Sequence, residues 1–466
     1  MLSLLQIADL HRSPTDPVTN AQLIATIMHE HDLAVGAGML PVGAIVVCGD
    51  LIQGCKLETP NFERELKLQY SVAQEFLTQL VHRLLNNDMS RLVVVPGNHD
   101  VCWNTVRPAM VEASEADQKE SFTLLQQHGT PFRWDWTTRR LFRINDVARY
   151  NARLNAYHTF LSTLYGGVLP RNINGDAWLF PIDDIIFVGL ESCIGTDCFS
   201  HAAAINADTI AQVAIALREH DARLRIAVWH HNIEGPPSAS DYLDQSNIRQ
   251  LVYHGFRLGL HGHQHYATTA PVRIYTDREE YMAVISAGSL CAGRHELPPG
   301  RNRGFNFVLI EEEQSRACVR SLAMDMEARV QPEYLFNGGS AEREVSWTPT
   351  VARGHDIRKI TLEAEHAKNE NRSAAAIEML VPHFEQLDVY GRSLLFELLL
   401  TQKKLDELLT FFEEQLSPTE VPRVVSSLID ANKTTEAERV VDRYQEEMLP
   451  AAVSFFREKI DILRRG

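Results

Sequence analysis

The chain has 466 residues, 45% of them hydrophobic and 23% charged, enough apolar material for a sizeable core and more than one domain. Its formal net charge of −16 opposes non-specific attraction to a polyanion, although bound divalent cations would offset part of it locally. No apolar run reaches the roughly 18 residues of a membrane span, and no basic stretch precedes an apolar one near Leu2, so neither an anchor nor a cleaved leader is expected.

The first predicted strand, LSLLQIA from Leu2, ends at Asp9-Leu10-His11. GAIVVCG ends at Gly49-Asp50, and RLVVVPG runs into Gly97-Asn98-His99-Asp100. Residues 104–175 form an excursion that is mostly helical by pattern and suited to a lid. Three further runs follow: DIIFVGLES, LRIAVWHH closing on His230-His231, and FRLGLHGH closing on Gly262-His263-Gln264-His265. These strands are apolar on both faces, which predicts an α/β arrangement with helices covering the sheet. Their polar ends fall at the carboxyl edge, where open α/β sheets bind ligands. YMAVISAGSL and GFNFVLIEEE alternate like strands of a second sheet. Residues 336–356 read as a linker, and residues 357–466 as an all-α, repeat-like domain of amphipathic helices suited to stacking and to binding a protein partner. Seven cysteines, odd in number and without CxxC pairs, predict neither a disulfide framework nor a thiolate zinc site and point to a reducing cytoplasm.

A single Asp or His at a strand end is usually a hydrogen-bonded structural residue. Five polar groups in succession, each closing a strand, predict convergence on a common site. Carboxylate, amide oxygen and imidazole together suit manganese, iron or zinc. Asp50 carries two oxygens and is able to bridge two cations, which at a spacing of about 3.5–4 Å activate water and clamp an in-line phosphoryl displacement. Asn98 offers a neutral oxygen. His99 beside it is the candidate proton donor to a departing oxygen, and Asp100 the candidate group to orient that ring. Pro96 and Gly97 supply the sharp turn. No phosphate-cradling P-loop or GxGxxG follows a suitable strand, so nucleotide use as an energy source is not indicated.

The series DLH, GDL, GNHD, HH and GHQH resembles the calcineurin-like metallophosphoesterase family, over roughly Met1 to Val330. The resemblance implies a four-layered αββα sandwich over residues 1–335 with a dinuclear centre holding two divalent metal ions, manganese first, with iron or zinc as alternatives. By carry-over Asp9, His11, Asp50 and His265 hold one ion, and Asp50, Asn98, His230 and His263 the other. His99 is then the catalytic histidine. The motif HHNIEGPP lacks the family's proline after His-His or His-x, so His230 is the expected ligand with His231 as the alternative. The implied reaction is phosphodiester hydrolysis through in-line attack by a metal-bridging hydroxide, on nucleic acid or a nucleotide. The alternatives are a cyclic-nucleotide or other small-molecule phosphodiesterase, or a scaffold regulated through its helical tail. Trp103, Arg133, Trp134, Trp136, Arg139, Arg140 and Arg143 interleave aromatic and basic character, either to stack bases and pair phosphates or simply to pack a lid. His261 and Arg294 read as a strand-end residue and a solvated loop residue.

Overall fold

The computed structural model describes residues 1–114, 117, 130–220, 222–235, 240–273, 280–336, 338–348 and 355–465. The chain divides into two compact units, Met1–Val351 and Ala352–Gly466.

Three parallel strands, β1 (Leu2–Ile7), β2 (Ala44–Cys48) and β3 (Leu92–Val95), form one side of a seven-stranded sheet. The strand Arg303–Glu311 pairs antiparallel with β1, and Arg316–Met324 extends the sheet beyond it. A second seven-stranded sheet has four parallel strands at its centre, Ile185–Leu190, Leu224–Val228, Phe256–His261 and Tyr281–Ser286.

Side-chain alternation decides how the sheets are layered. In the second sheet Phe187, Ile226, Val228, Leu258, Leu260 and Ile285 join the core shared with β1 to β3. Their neighbours Ile186, Val188, Ala227 and Val284 point to the opposite face, where they meet Ile210, Val213, Ile248 and Leu251 of the helices Ala207–Ala216 and Gln245–Tyr253. Helices α1 (Asn20–Gly36) and α2 (Phe62–Leu84) contribute to the first core; in α2 the buried residues Leu66, Tyr70, Ala73, Leu77 and Leu80 recur every three or four positions along one face. Helices therefore flank two sheets that face each other, giving the expected αββα sandwich.

A polar staple crosses between the sheets. The Gln6 amide donates to the carbonyls of His261 (3.2 Å) and Ile285 (3.0 Å), and Asn306 donates to Gln6 Oε1 (3.0 Å). Buried amides of this kind must be satisfied, so the two carboxyl edges are held in one register.

Three sequence-based expectations need correction. YMAVISAGSL and GFNFVLIEEE do not share a sheet: Tyr281–Ser286 lies beside Phe256–His261, whereas Arg303–Glu311 lies beside β1. The excursion is not helical throughout, for its described residues include a small sheet. Met110–Glu112, Arg140–Ile144 and Phe132–Asp135 form a three-stranded antiparallel sheet, and the helices Val147–Asn151 and Asn155–Leu164 follow. Residues 115–116 and 118–129 of the excursion lie outside the described residues. The stretch read as a linker contributes a strand, Glu342–Ser346, paired with Arg316–Met324, and buries Trp347.

The second unit consists of helices around its own core, which includes Ile377, Leu395, Leu399, Leu408, Val424, Leu428 and Val441. Three of its connections share one geometry. Asn371, Lys403 and Asn432 take positive φ, and the next amide, of Arg372, Lys404 and Lys433, donates to the carbonyl five residues back, of Ala367, Leu399 and Leu428. This is the Schellman turn, which stops a helix. Among the described residues no helix is long and apolar enough to cross a membrane.

Candidate metal centre

The carboxyl ends of β1, β2 and β3 and of the strands Leu224–Val228 and Phe256–His261 deliver every candidate ligand to one edge. The backbone bends sharply there. Asp9, His11, Asp50, His263 and His265 all have positive φ, between 41° and 74°. This region is sterically costly for residues with a Cβ, about 1–3 kcal/mol each, and persists only where the surroundings enforce it. Here they do so by lacing the loops together: Asp9 N–H donates to the Gly49 carbonyl (3.1 Å), His11 N–H to Asp50 (2.9 Å) and Gly262 N–H to His230 (3.0 Å).

Two groups of donor atoms result, with Asp50 common to both. In the first, His265 Nε2 lies 3.3 Å from Asp9 Oδ1 and 3.4 Å from His11 Nε2, which is in turn 3.9 Å from Asp50 Oδ2. In the second, His230 Nε2 lies 3.3 Å from Asp50 Oδ2 and 2.8 Å from Asn98 Oδ1. His263 Nδ1 stands 3.0 Å from the same Asn98 oxygen and 3.2 Å from His230 Nε2. The neighbouring His231 has its Nδ1 2.9 Å from Ser192 Oγ and its ring centroid 4.8 Å from that of His263.

The chemistry of this donor set fits divalent cations. Ring nitrogens confront each other at 3.2 and 3.4 Å, and their opposed lone pairs are relieved only by a proton or a cation between them. Asp9 and Asp50 are both buried and need compensating charge. Burial opposes ionisation of Asp50, yet His230, His99 and His11 around it hold its carboxyl well below the usual range. Burial likewise disfavours a charged His230, but Asp50 outweighs it and pushes the ring up to about 9; His265 rises to about 9 against burial through Asp9. Without cations the centre must recruit protons onto its imidazoles, and metal ions would displace them.

His99 stands beside this cluster, edge-on to His11 with ring centroids 4.6 Å apart. Its Nδ1 is fixed by the Gln53 carbonyl at 2.8 Å, which places a hydrogen on Nδ1 and leaves Nε2 to exchange protons. Its backbone N–H donates to Asp50 Oδ1 (2.8 Å). Asp100 does not orient the His99 ring as its adjacency suggested. Its carboxylate accepts from Gly97 N–H (2.8 Å), Leu51 N–H (3.2 Å) and the Tyr70 hydroxyl (3.0 Å), so it organises the turn beneath the ligands. Burial, with the Asp50 charge adding to it, pushes Asp100 up to about 7.

The aromatic and basic residues of the excursion split apart. Arg133 is buried against Asp197 (2.5 Å) and the Tyr150 hydroxyl (2.9 Å). Arg140 pairs with Glu112 and Arg143 with Asp117, while Arg139 is exposed. Trp103 and Trp134 are half-buried, whereas Trp136 is 81% exposed at the hairpin tip. His261 stacks on Trp229, and Arg294 is exposed.

Sequence reading missed Gln53, Ser192, Tyr70 and Asp241, the last of which lies 3.5 Å from His263 Nε2. Ser192, the last residue of the predicted run DIIFVGLES, carried a positional signal; a backbone carbonyl such as that of Gln53 carries none.

A double-sheet sandwich that gathers aspartates, histidines and an asparagine at its carboxyl edge has the architecture of a metal-dependent hydrolase. The family model described as calcineurin-like phosphoesterase matches residues 2–267, more than half of the chain. The chain belongs to that family, a family of hydrolases acting on phosphoester bonds. Among solved structures it is similar to purple acid phosphatase PPD1 from yellow lupin (Lupinus luteus) seeds, with 10% identity, 74% of this chain and 53% of that one covered, and a TM-score of 0.40. The chain thus spans about half the length of the lupin protein. It is also similar to Vps29 complexed with zinc from Entamoeba histolytica (9% identity, 74% and 99% covered, TM-score 0.26). A third likeness is to the calcineurin-like phosphoesterase YfkN from Bacillus subtilis (13%, 79% and 98%, TM-score 0.27). No curated protein matches.

Proposed function

We propose that the protein is a phosphodiesterase with a two-cation centre, acting on a nucleic-acid or nucleotide diester. The observation that carries this reading is the position of Asp50 between two donor groups, one completed by Asp9, His11 and His265 and the other by Asn98, His230 and His263. These residues would hold two divalent ions, with manganese as the first choice and iron or zinc also compatible with the donor set. When bound, such ions supply Lewis acidity and lower the pKa of water for in-line displacement at phosphorus.

The chain's own residues do the rest. Asp9 and Asp50, buried and ionised, keep the site's charge fixed. Asn98 presents a neutral oxygen held between two rings. His99, with Nδ1 pinned to Gln53, presents Nε2 toward the reaction and delivers a proton to the leaving oxygen. Among the described ion pairs, Asp9 and Asp50 are matched by histidines and by no Lys or Arg, a charge balance that suits a singly charged diester better than a dianionic monoester.

The test is a hydrolysis panel on manganese-loaded protein: bis-p-nitrophenyl phosphate, a monoester, cyclic nucleotides, and single- and double-stranded DNA and RNA. Diester turnover is expected, with loss in Asp50→Asn. In His99→Asn turnover falls about 10²–10⁴-fold on substrates with an alkoxide leaving group, and less on the p-nitrophenyl ester, whose leaving group needs no proton. Unchanged turnover in Asp50→Asn would remove this centre from the reaction.

A further inference from the structure

The histidines of the centre do not anchor their second nitrogen in the same way. His230 rests Nδ1 on the Cys48 carbonyl (2.9 Å), His265 rests Nδ1 on the Glu296 carbonyl (2.8 Å), and His99 rests Nδ1 on the Gln53 carbonyl (2.8 Å). Backbone carbonyls do the orienting in each case. His263 is different: its Nδ1 faces Asn98 and His230, and its Nε2 faces a side-chain carboxylate, Asp241 Oδ2, at 3.5 Å.

We infer that Asp241 is a positioning residue for His263, holding a hydrogen on Nε2 so that the Nδ1 lone pair is presented to the cation of the Asn98/His230 group. The inference rests on the two-cation reading above. The two nitrogens of an imidazole point to opposite flanks of the ring, so Asp241 and that cation lie on opposite sides of His263 and do not compete. A carboxylate on the far nitrogen fixes the tautomer, fixes the ring's orientation and raises the basicity of the ligating nitrogen. A backbone carbonyl does the first two and adds no charge. Asp241 therefore strengthens the second cation subsite specifically.

The position is built. The Ser240 carbonyl accepts from Ala203 N–H (2.8 Å), Tyr242 bridges to Asn232, and Leu243 N–H donates to the Asn232 carbonyl (2.8 Å). Asp244 then caps the helix Gln245–Tyr253 through Ser246 N–H. The segment is thus tied to the loop that follows His231 and to the start of a helix, which fixes where Asp241 points. Its side chain is 45% exposed, so replacing it removes a contact to His263 without opening a core.

The experiment is equilibrium dialysis of the full chain against manganese, with the bound stoichiometry counted, for wild type, Asp241→Ala, Asp241→Asn and His263→Ala. Wild type is expected to bind two ions. Asp241→Ala retains one at wild-type affinity and binds the second about 10–100-fold more weakly. Asp241→Asn, which keeps an acceptor oxygen but no charge, recovers only the part of the loss that comes from ring orientation. In the His263→Ala background, the further change Asp241→Ala has no effect. A wild type that binds two ions together with an Asp241→Ala protein that binds both equally well would overturn the inference and leave the two-cation reading standing. A wild type that binds fewer than two would overturn the reading, and this inference with it. Thermal denaturation of each variant separates these outcomes from loss of the fold.

Discussion

Gly97 is the residue at which local chemistry and the centre are most tightly joined. A Cβ there would lie 2.2 Å from Asp50 Oδ1 and 2.3 Å from the Asp50 amide, closer than any side chain approaches backbone. Gly49 has φ of 84°, and a Cβ on it would meet the His230 ring at 2.5 Å. Both glycines exist so that Asp50 and His230 can approach the strands they serve. Gly97→Ala is therefore expected to push Asp50 from its place, costing about 1–3 kcal/mol of stability and lowering bound metal below two equivalents, readable by thermal denaturation and metal analysis. At this scale the sequence was informative about identities: a DxH, a GD and a GNHD named the residues that converge. It was silent on their partners. Asp100 was legible as a polar residue beside His99, but its actual partners are Gly97, Leu51 and Tyr70, two of them distant in the chain.

At the scale of elements, the hairpin Phe132–Asp135 and Arg140–Ile144 shows where pattern reading falls short. Its arginines and leucine have good helix propensity, and a true helix begins shortly after it, at Val147. What selects the strand is tertiary. Arg133 is drawn into a buried pair with Asp197, which also accepts from Tyr150 (2.8 Å), and Phe142 stacks on Phe199 with centroids 4.9 Å apart. The same loop carries Ser192, whose Oγ lies 3.3 Å from the His230 amide, so the hairpin is tied to the centre's scaffold. Asp197→Ala leaves a buried guanidinium without its charged partner and is expected to cost about 3–5 kcal/mol. A double replacement, Arg133→Met with Asp197→Ala, costs less than the sum of the single changes, and a denaturant-based double-mutant cycle measures the difference.

The whole molecule consists of two units with separate cores. The candidate ligands all lie in Met1–Val351, and the core of Ala352–Gly466 is built from its own helices. Deleting residues 352–466 is expected to leave manganese stoichiometry unchanged, and calorimetry of the full chain to resolve two transitions, one of which the shortened protein retains. A single cooperative transition lost on deletion would show that the units depend on each other for stability.

Sequence alone determined the α/β class of the first unit and the helical character of the second, and it singled out Asp9, His11, Asp50, Asn98, His99, His230, His263 and His265, which the fold brings to one edge. These follow from hydrophobic period and from polar residues at strand ends, both local properties of the chain. The tertiary structure alone decided that Tyr281–Ser286 and Arg303–Glu311 belong to different sheets, that residues 342–346 join the first sheet, that His230 and not His231 turns toward Asn98, and that Asp241 stands behind His263. Strand pairing and ring orientation depend on contacts between residues hundreds of positions apart, and no local pattern encodes which of several compatible partners a side chain will meet.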